Sequence, residues 1–409
     1  MSNKKVIVVG GGPAGIMASL TASANNEVVL IERNNEIGKK LRLTGGGRCN
    51  ITNNREIEEF FDKIVTNNKF MYSALYTFSN YQLLDFLSKK GLEYKVELDQ
   101  KVYTKRDTAE EVISIFKNEL NDCRVKVLYN TKVCDFIVEE DEIKGIITEQ
   151  GKKILGDKII ITTGGKSFPN TGSDGEMYGI LEKYGHTITP IHAALIPLVT
   201  TEDFVKNLQG VAMKDVVVSA KIKKKKYEKF GDMIFTHFGI SGPGVLKLSS
   251  YINRALENGE VEVTLDFVQD KSKDEISKLI KENTNKTVLN NLKGLLPGNF
   301  LKEIVGLLNL TETKPSELKK EDEIKLVNYI KEMKLTAIET LSIKAAMVTS
   351  GGVAVKEINA STMESKLIKN LYFAGEVINV DAETGGYNLQ IAFSTGYLAG
   401  SDFKMYGYN

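Results

Sequence analysis

The chain has 409 residues, more than one ordinary domain needs, so two or three domains with ample core are expected. Apolar content of 42% with 26% charged residues describes a globular protein, and 54 Lys plus Arg against 53 Asp plus Glu leave a net charge of +1, which argues against a nucleic-acid or membrane partner and for a small molecule. Three scattered cysteines and three histidines (His186, His192 and His237) make neither a disulfide framework nor a metal-ligand spacing, so a reducing, cytoplasmic compartment and no metal are expected, while the oligomeric state stays unread.

Lys5–Val9 reads as a β-branched strand, Gly10-Gly11-Gly12-Pro13-Ala14-Gly15 follows, and Val28–Ile31 closes a second strand on Glu32 and Arg33. This spacing marks a dinucleotide site. Gly10 makes the tight turn, Gly12 lets backbone approach a pyrophosphate, Gly15 lets helix pack on strand, and the helix N-terminus faces the phosphate charge. Glu32, 20 residues beyond Gly12, is placed to accept both ribose hydroxyls of an adenosine. Val6–Ala24 carries no charge, yet its glycines and Pro13 argue against a membrane span or signal sequence.

A glycine-rich segment, Gly38–Asn53, precedes helical patterning over Phe70–Lys90, and Thr108-x-x-Glu111 predicts a capping box opening a helix to about Asn121. Val125–Tyr129, Val133–Glu139, Ile143–Glu149 and Lys158–Thr162 follow as a strand-rich excursion, ending in a buried strand that runs into Thr163-Gly164-Gly165. From about Pro190 the character changes. Leu195–Leu265 is a series of β-like runs, including a Val216–Phe230 hairpin whose Lys223-Lys224-Lys225-Lys226 reads as a solvated tip. Lys271–Leu335 switches to lysine-rich amphipathic helices broken near Gly294, Pro297 and Pro315. Leu371–Glu376 is one more buried strand, and Gly386–Lys404 a helix apolar around most of its surface.

Flavin and nicotinamide dinucleotides share an ADP half, so only distal elements separate them. A short strand ending in Gly375-Glu376, then Thr384-Gly385-Gly386-Tyr387-Asn388 at a helix start, suits FAD lying across the sheet. Glu376 would bond the ribityl or phosphate region. Amides at Gly386, Tyr387 and Asn388 would face the flavin pyrimidine edge, where the helix dipole favours the charge that reduction develops. No second glycine motif of this kind follows residue 100, and Gly351-Gly352-Val353 reads as a turn near the flavin. NAD(P)H is therefore expected only as a transient visitor.

Four blocks carry a resemblance: Lys40–Asn53 (KLRLTGGGRCNITN), Thr163–Pro169 (TGGKSFP), Phe235–Pro243 (FTHFGISGP), and Gly375-Glu376 through Gly385–Gln390 (GGYNLQ). In these the chain resembles the bacterial flavoproteins similar to bile-acid-inducible flavoprotein N and aminoacetone oxidase, within the glutathione-reductase-like FAD superfamily. The resemblance implies an α/β fold: an FAD-binding Rossmann-like three-layer domain (1–190 and 345–409) with an inserted β-barrel-like domain (191–270 and 335–344) carrying a helical subdomain (271–334). It further implies that Gly45, Gly47, Arg48, Cys49 and Asn50 wall the flavin and its pyrophosphate, that Val133 holds the adenine through its backbone, and that Lys40, Thr163, Gly164 and Leu389 join the cofactor set. Asn379 departs from the usual Asp, with Asp381 near enough to substitute.

The chemistry has fewer markers. Cys49 lacks the second cysteine of a dithiol relay and is read as a wall residue. His237 is a candidate proton donor above the flavin or a histidine fixing the barrel, and Tyr387 orients substrate or simply packs. His192 and Phe168 are weaker candidates. The expected reaction passes hydride between flavin N5 and a small organic substrate, as an NAD(P)H-dependent reduction of an activated C=C bond. Flavin-dependent amine oxidation and a non-catalytic or RNA-associated flavoprotein are the alternatives.

Overall fold

Five short strands rich in Val and Ile lie side by side in the computed structural model, which describes residues 4–401. Their spatial order is Leu371–Phe373, Lys158–Ile161, Lys5–Val9, Glu27–Ile31 and Lys126–Leu128, and every neighbouring pair is parallel. Strands covered on both faces read as unbroken apolar runs, and Val6–Val9, Val28–Ile31 and Ile159–Ile161 are all buried. The register sets Val9 beside Ile31 and Ile161, and Ile161 beside Phe373, so the strands end along one carboxyl edge. Ligands of open parallel sheets bind at such an edge.

The first helix, Pro13–Ala22, starts at this edge with Gly12 as its N-cap and proline at its first position, where a missing N–H costs nothing. It is buried on most sides and packs against the last helix, Tyr387–Gly400. Small residues let the two backbones touch: a Cβ at Gly396 would stand 2.2 Å from the Ala14 carbonyl oxygen, and one at Gly400 2.4 Å from that of Ala18. The expected continuation of the last helix to Lys404 lies outside the described residues. A three-stranded antiparallel sheet, Val133–Glu139, Glu142–Thr148 and Lys153–Leu155, adds Phe136, Ile143 and Ile146 to the same core.

Local departures from the sequence reading have local causes. The expected strand over Val125–Tyr129 is the edge of the main sheet, as Lys126–Leu128, and not part of the antiparallel excursion. The Phe70–Lys90 segment splits into Tyr72–Thr77 and Asn80–Lys89, because Ser79 and Gln82 form a reciprocal capping box that starts a new helix. Thr108 caps Ala109–Asp122 by accepting from the Glu110 amide, whereas Glu111 turns to Arg106 and leaves that box incomplete. Gly351 and Gly352 lie in a strand, Val348–Val353, instead of a turn; a Cβ on Gly351, whose φ is +108°, would stand 2.3 Å from the Pro190 carbonyl oxygen.

These elements form one compact unit, made by the chain up to His192 together with the chain from Met347 onward. The second unit, Ala193–Ala346, is built on a closed six-stranded barrel in the order Leu198–Thr200, Gly239–Ser241, Lys225–Phe235, Ala212–Ile222, Val261–Asp266 and Met333–Thr340. Its long hairpin spans Ala212–Phe235, wider than the expected Val216–Phe230. The helices Lys273–Ile280, Gly298–Leu307 and Lys320–Lys331 share one core with the barrel, where the Phe300 ring lies 4.8 Å from Phe267 and 6.0 Å from Phe235.

Backbone contact between the first and last helices makes a test. Gly396→Val forces a branched side chain against Ala14, and overpacking of this kind costs about 1–3 kcal/mol. Calorimetry should show the melting temperature of the first unit fall by roughly 2–4 °C per kcal/mol; an unchanged midpoint would show that the helices are not in close contact.

Candidate functional site

A cleft of about 1390 Å³, counting its space open to solvent, sits at the carboxyl edge of the parallel sheet and is lined by residues of the first unit alone. Gly10, Gly12, Pro13 and Ala14 form its floor. Gly10 has φ +109° and a Cβ there would meet the Thr162 carbonyl at 2.6 Å, whereas a Cβ at Gly12 would meet nothing within 4 Å and would project into open space. Gly15 is not on the lining. Its Cβ would stand 1.8 Å from the Gly10 carbonyl, so it serves the packing of helix on strand.

Glu32 and Arg33 line the cleft at one end, with Val133 from the antiparallel sheet. The Glu32 carboxylate accepts from the Gly11 amide at 2.7 Å and from both the backbone and the side-chain nitrogen of Asn34, each at 2.7 Å. Three of its roughly four acceptor positions are thus taken, and it braces the glycine loop as well as facing the cleft. Thr171, Gly172, Ser173 and Asp174 run along this end as a strap that no sequence motif announced. Arg33 pairs with Asp174, Asn34 donates to the Thr171 carbonyl at 2.9 Å, and Lys132 pairs with Glu176 at 2.5 Å. Two buried hydroxyls on the lining, Thr163 Oγ1 and Ser173 Oγ, have no hydrogen-bond partner among the described residues. Buried polar groups are rarely left so. Together with the open space at Gly12, they fit a bound polar ligand such as FAD.

The other end is organised by Glu376. Its carboxylate takes the Lys40 ammonium at 2.6 Å, the Ser167 hydroxyl at 2.8 Å and the Thr349 amide at 2.7 Å, and Lys40 also donates to Ser167 at 2.7 Å. Burial works against ionisation of this carboxyl, but the adjacent ammonium and these donors outweigh it and hold it below the ordinary range. Lys40, Gly164, Gly375, Glu376, Asn388 and Leu389 all line the cleft. The Asn388 side chain is spent on the Ala382 amide and carbonyl, which leaves its backbone N–H in the first helical turn.

Several expected wall residues are elsewhere. Gly45 and Gly47 have φ of +60° and +93°, so the glycine run supplies left-handed backbone and not a surface on the cleft. Arg48 is already neutralised by Glu97 and Asp107 and lies over the Tyr103 ring at 4.1 Å. Cys49 is fully buried, and burial pushes its thiol up to about 12, so it is a neutral core residue. Asn50 is buried in the strand Asn50–Asn53, Asp381 is buried with the Ser350 hydroxyl on its carboxylate, and Gly386 has its Cα against the Thr52 backbone. Tyr387 is buried edge-on to Phe60, and burial raises its phenol to about 12 although Arg55 opposes the shift. None of these lines the cleft. His237 lies exposed in the second unit, on the turn before Gly239–Ser241, with its ring edge-on to Phe238. His192 is buried and Phe168 holds a left-handed turn, and neither is on the lining.

Removing the cation at Glu376 should be costly. Lys40→Met leaves a half-buried carboxylate without its cation and is expected to destabilise the protein by about 1–3 kcal/mol near neutrality. Because the folded carboxyl sits below 4.5, the wild-type contribution is full above that pH and is lost as pH falls through the lower folded value. Urea titrations should therefore show the deficit of the variant shrink on acidification below pH 4.5; a deficit that does not change with pH would remove the ion pair as its cause.

Residues 4–402 match the family described as HI0933-like protein Rossmann domain. The chain is 30% identical over 406 residues to a 3-dehydro-bile acid delta(4,6)-reductase of Clostridium scindens, covering 97% of this chain and 98% of that protein. It is 28% identical over 405 residues to a ribosomal RNA dihydrouridine synthase of Escherichia coli, covering 98% of each. Among solved structures, the 3-ketosteroid delta1-dehydrogenase of Sterolibacterium denitrificans superposes with a TM-score of 0.54 over 98% of this chain and 99% of that one, at 11% identity, a likeness of fold. With a dinucleotide cleft in place and a match along its whole described length, the chain belongs to the HI0933-like family of FAD-binding oxidoreductases.

Proposed function

We propose that this flavoprotein reduces a carbon–carbon double bond conjugated to a carbonyl, with FAD in the first-unit cleft and NAD(P)H as external reductant. The observation that carries the reading is the whole-length likeness to a 3-dehydro-bile acid delta(4,6)-reductase, whose name describes ring double bonds in conjugation with a 3-ketone. The name of the second relative leads to the same bond type: dihydrouridine is uridine with its ring double bond, conjugated to a carbonyl, saturated. One chemistry covers both. Hydride adds to the carbon β to the carbonyl and a proton to the α carbon, and NAD(P)H is oxidised to NAD(P)⁺. Amine oxidation has no comparable support. A steroid-like enone is the first substrate class, and uridine within RNA is the second reading, favoured by the Escherichia coli relative.

Bound FAD supplies a two-electron carrier that accepts and donates hydride at N5. The residues of the chain bind and orient it. Amides of Gly12 and Ala14 at the N-terminus of the first helix would hold the diphosphate, Glu32 the ribose, and Val133 the adenine side. Lys40, held by Glu376 and Ser167, sets a charged pair and its hydrogen-bonding groups on the cleft wall. First-turn amides at Asn388 and Leu389 add the positive end of the last helix, which favours negative charge developing beside it.

Anaerobic stopped-flow mixing with NADH and NADPH, followed by a 3-oxo-4,6-diene steroid or uridine-containing RNA, tests the reading. Flavin absorbance should bleach with one nucleotide and recover with a conjugated substrate, and no bleaching with either nucleotide would overturn the NAD(P)H-dependent reductase. The cofactor assignment has its own check. Glu32→Ala removes a charge-assisted acceptor worth about 1.5–3 kcal/mol, so FAD should be held roughly tenfold to a hundredfold less tightly in a fluorescence titration. Unaltered affinity would contradict the role of Glu32.

A further inference from the structure

The barrel hairpin carries a charge concentration that the cofactor chemistry does not use. Between Lys214 and Lys229 stand seven lysines against two acids, in a chain whose net charge is only +1. Lys221, Lys223, Lys224, Lys225 and Lys226 are all exposed. Of the first hairpin strand, Val263–Asp266 pairs with Val217–Ala220 alone, so beyond Ala220 the two hairpin strands continue without that neighbour and project as a tip. Lys221 and Lys226 are directly opposite in the ladder, a like-charge pair that Glu228 offsets in part by pairing with Lys226 at 2.6 Å. Lys223 takes φ +55° at the turn, where glycine or asparagine fits at lower cost.

Aromatic rings alternate with the charges. Lys225 lies 4.8 Å over the Tyr227 ring, Tyr227 is 5.2 Å from Tyr251 on the helix Pro243–Leu256, and Lys229 lies 4.0 Å over Tyr251. Both tyrosines are half-buried. Cationic side chains interleaved with partly exposed rings suit a phosphodiester backbone with stackable bases. An anionic bilayer would also meet the lysines, but the projecting tip carries only the half-buried Ile222, and the exposed Phe230 stands back from it, opposite Val217.

We infer that the Lys221–Lys229 hairpin is an RNA-docking surface. This rests on the second substrate reading above. The global charge balance does not oppose it, because near-neutrality of the whole chain conceals a local excess.

The FAD-loaded full chain, titrated against a fluorescently labelled short single-stranded RNA at several salt concentrations, tests it by anisotropy. The wild type should bind with affinity that falls steeply as salt rises. The combined Lys223→Glu, Lys224→Glu and Lys225→Glu variant should bind about tenfold or more weakly, with a salt slope shallower by about 2. Its flavin bleaching by NAD(P)H and its melting temperature should match the wild type, which separates lost docking from lost folding. Equal RNA binding by variant and wild type overturns the proposal. So does absence of wild-type binding, which returns the lysines to a solvated tip, or binding to phosphatidylserine vesicles with none to RNA. Failure of the reductase reading appears separately, as absence of flavin reoxidation by a free steroid enone and by uridine alike.

Discussion

Four segments far apart in the sequence meet at one carboxylate. Glu376 follows the last sheet strand, Lys40 leaves the glycine-rich segment after the second, Ser167 follows the fourth in chain order, and Thr349 belongs to the return from the barrel. A carboxylate partly withdrawn from water is tolerated when its oxygens are filled, and here each oxygen has a donor. The same hub fixes one end of the cleft, because Lys40 and Glu376 both line it. Conformational specificity and cofactor placement thus draw on a single polar cluster inside an otherwise apolar sheet edge.

The opening motif was legible because its parts are local. Strand, glycine turn, helix and acid lie within 33 residues, and each residue type has a steric or electrostatic reason that needs no distant partner. The five-stranded sheet was legible in part for the same reason: its members are unbroken apolar runs. Residues whose setting depends on long-range contacts were not. Arg48 reads as a phosphate ligand until Glu97 and Asp107, far along the chain, are seen to claim it. Tyr387 stands at a helix start and reads as facing a ligand, yet Phe60 and Arg55 enclose it. Conversely Asp174 and Ser173 sit in a stretch with no motif and reach the cleft only because Arg33 and Asn34 tie that stretch down. The three consecutive glycines after Thr44 are a further instance: composition marks them as special, but only the dihedral angles show that all three take left-handed backbone.

Charge shows the same limit in another form. A sum over the chain reports how a protein behaves in a field that is distant compared with its own size, while docking depends on the field a few ångströms from one face. The hairpin lysines and the acid-rich helix starts, such as Glu321, Asp322 and Glu323, cancel in the sum but lie on separate elements. Composition therefore weighs on solubility more directly than on partner choice.

The interleaving of the first unit has a consequence for biosynthesis. Its central sheet needs Leu371–Phe373 beside Lys158–Ile161, and its first helix needs the last one against it, so 17 of the 62 buried residues of its core wait for chain made after the whole barrel. While the ribosome is still adding the middle of the chain, the barrel has all its strands in a single continuous stretch and the nucleotide fold does not. Pairings that span such separations form slowly. Until the carboxyl-terminal segment emerges, the cleft lacks the part of its wall made by Gly375, Glu376, Asn388 and Leu389.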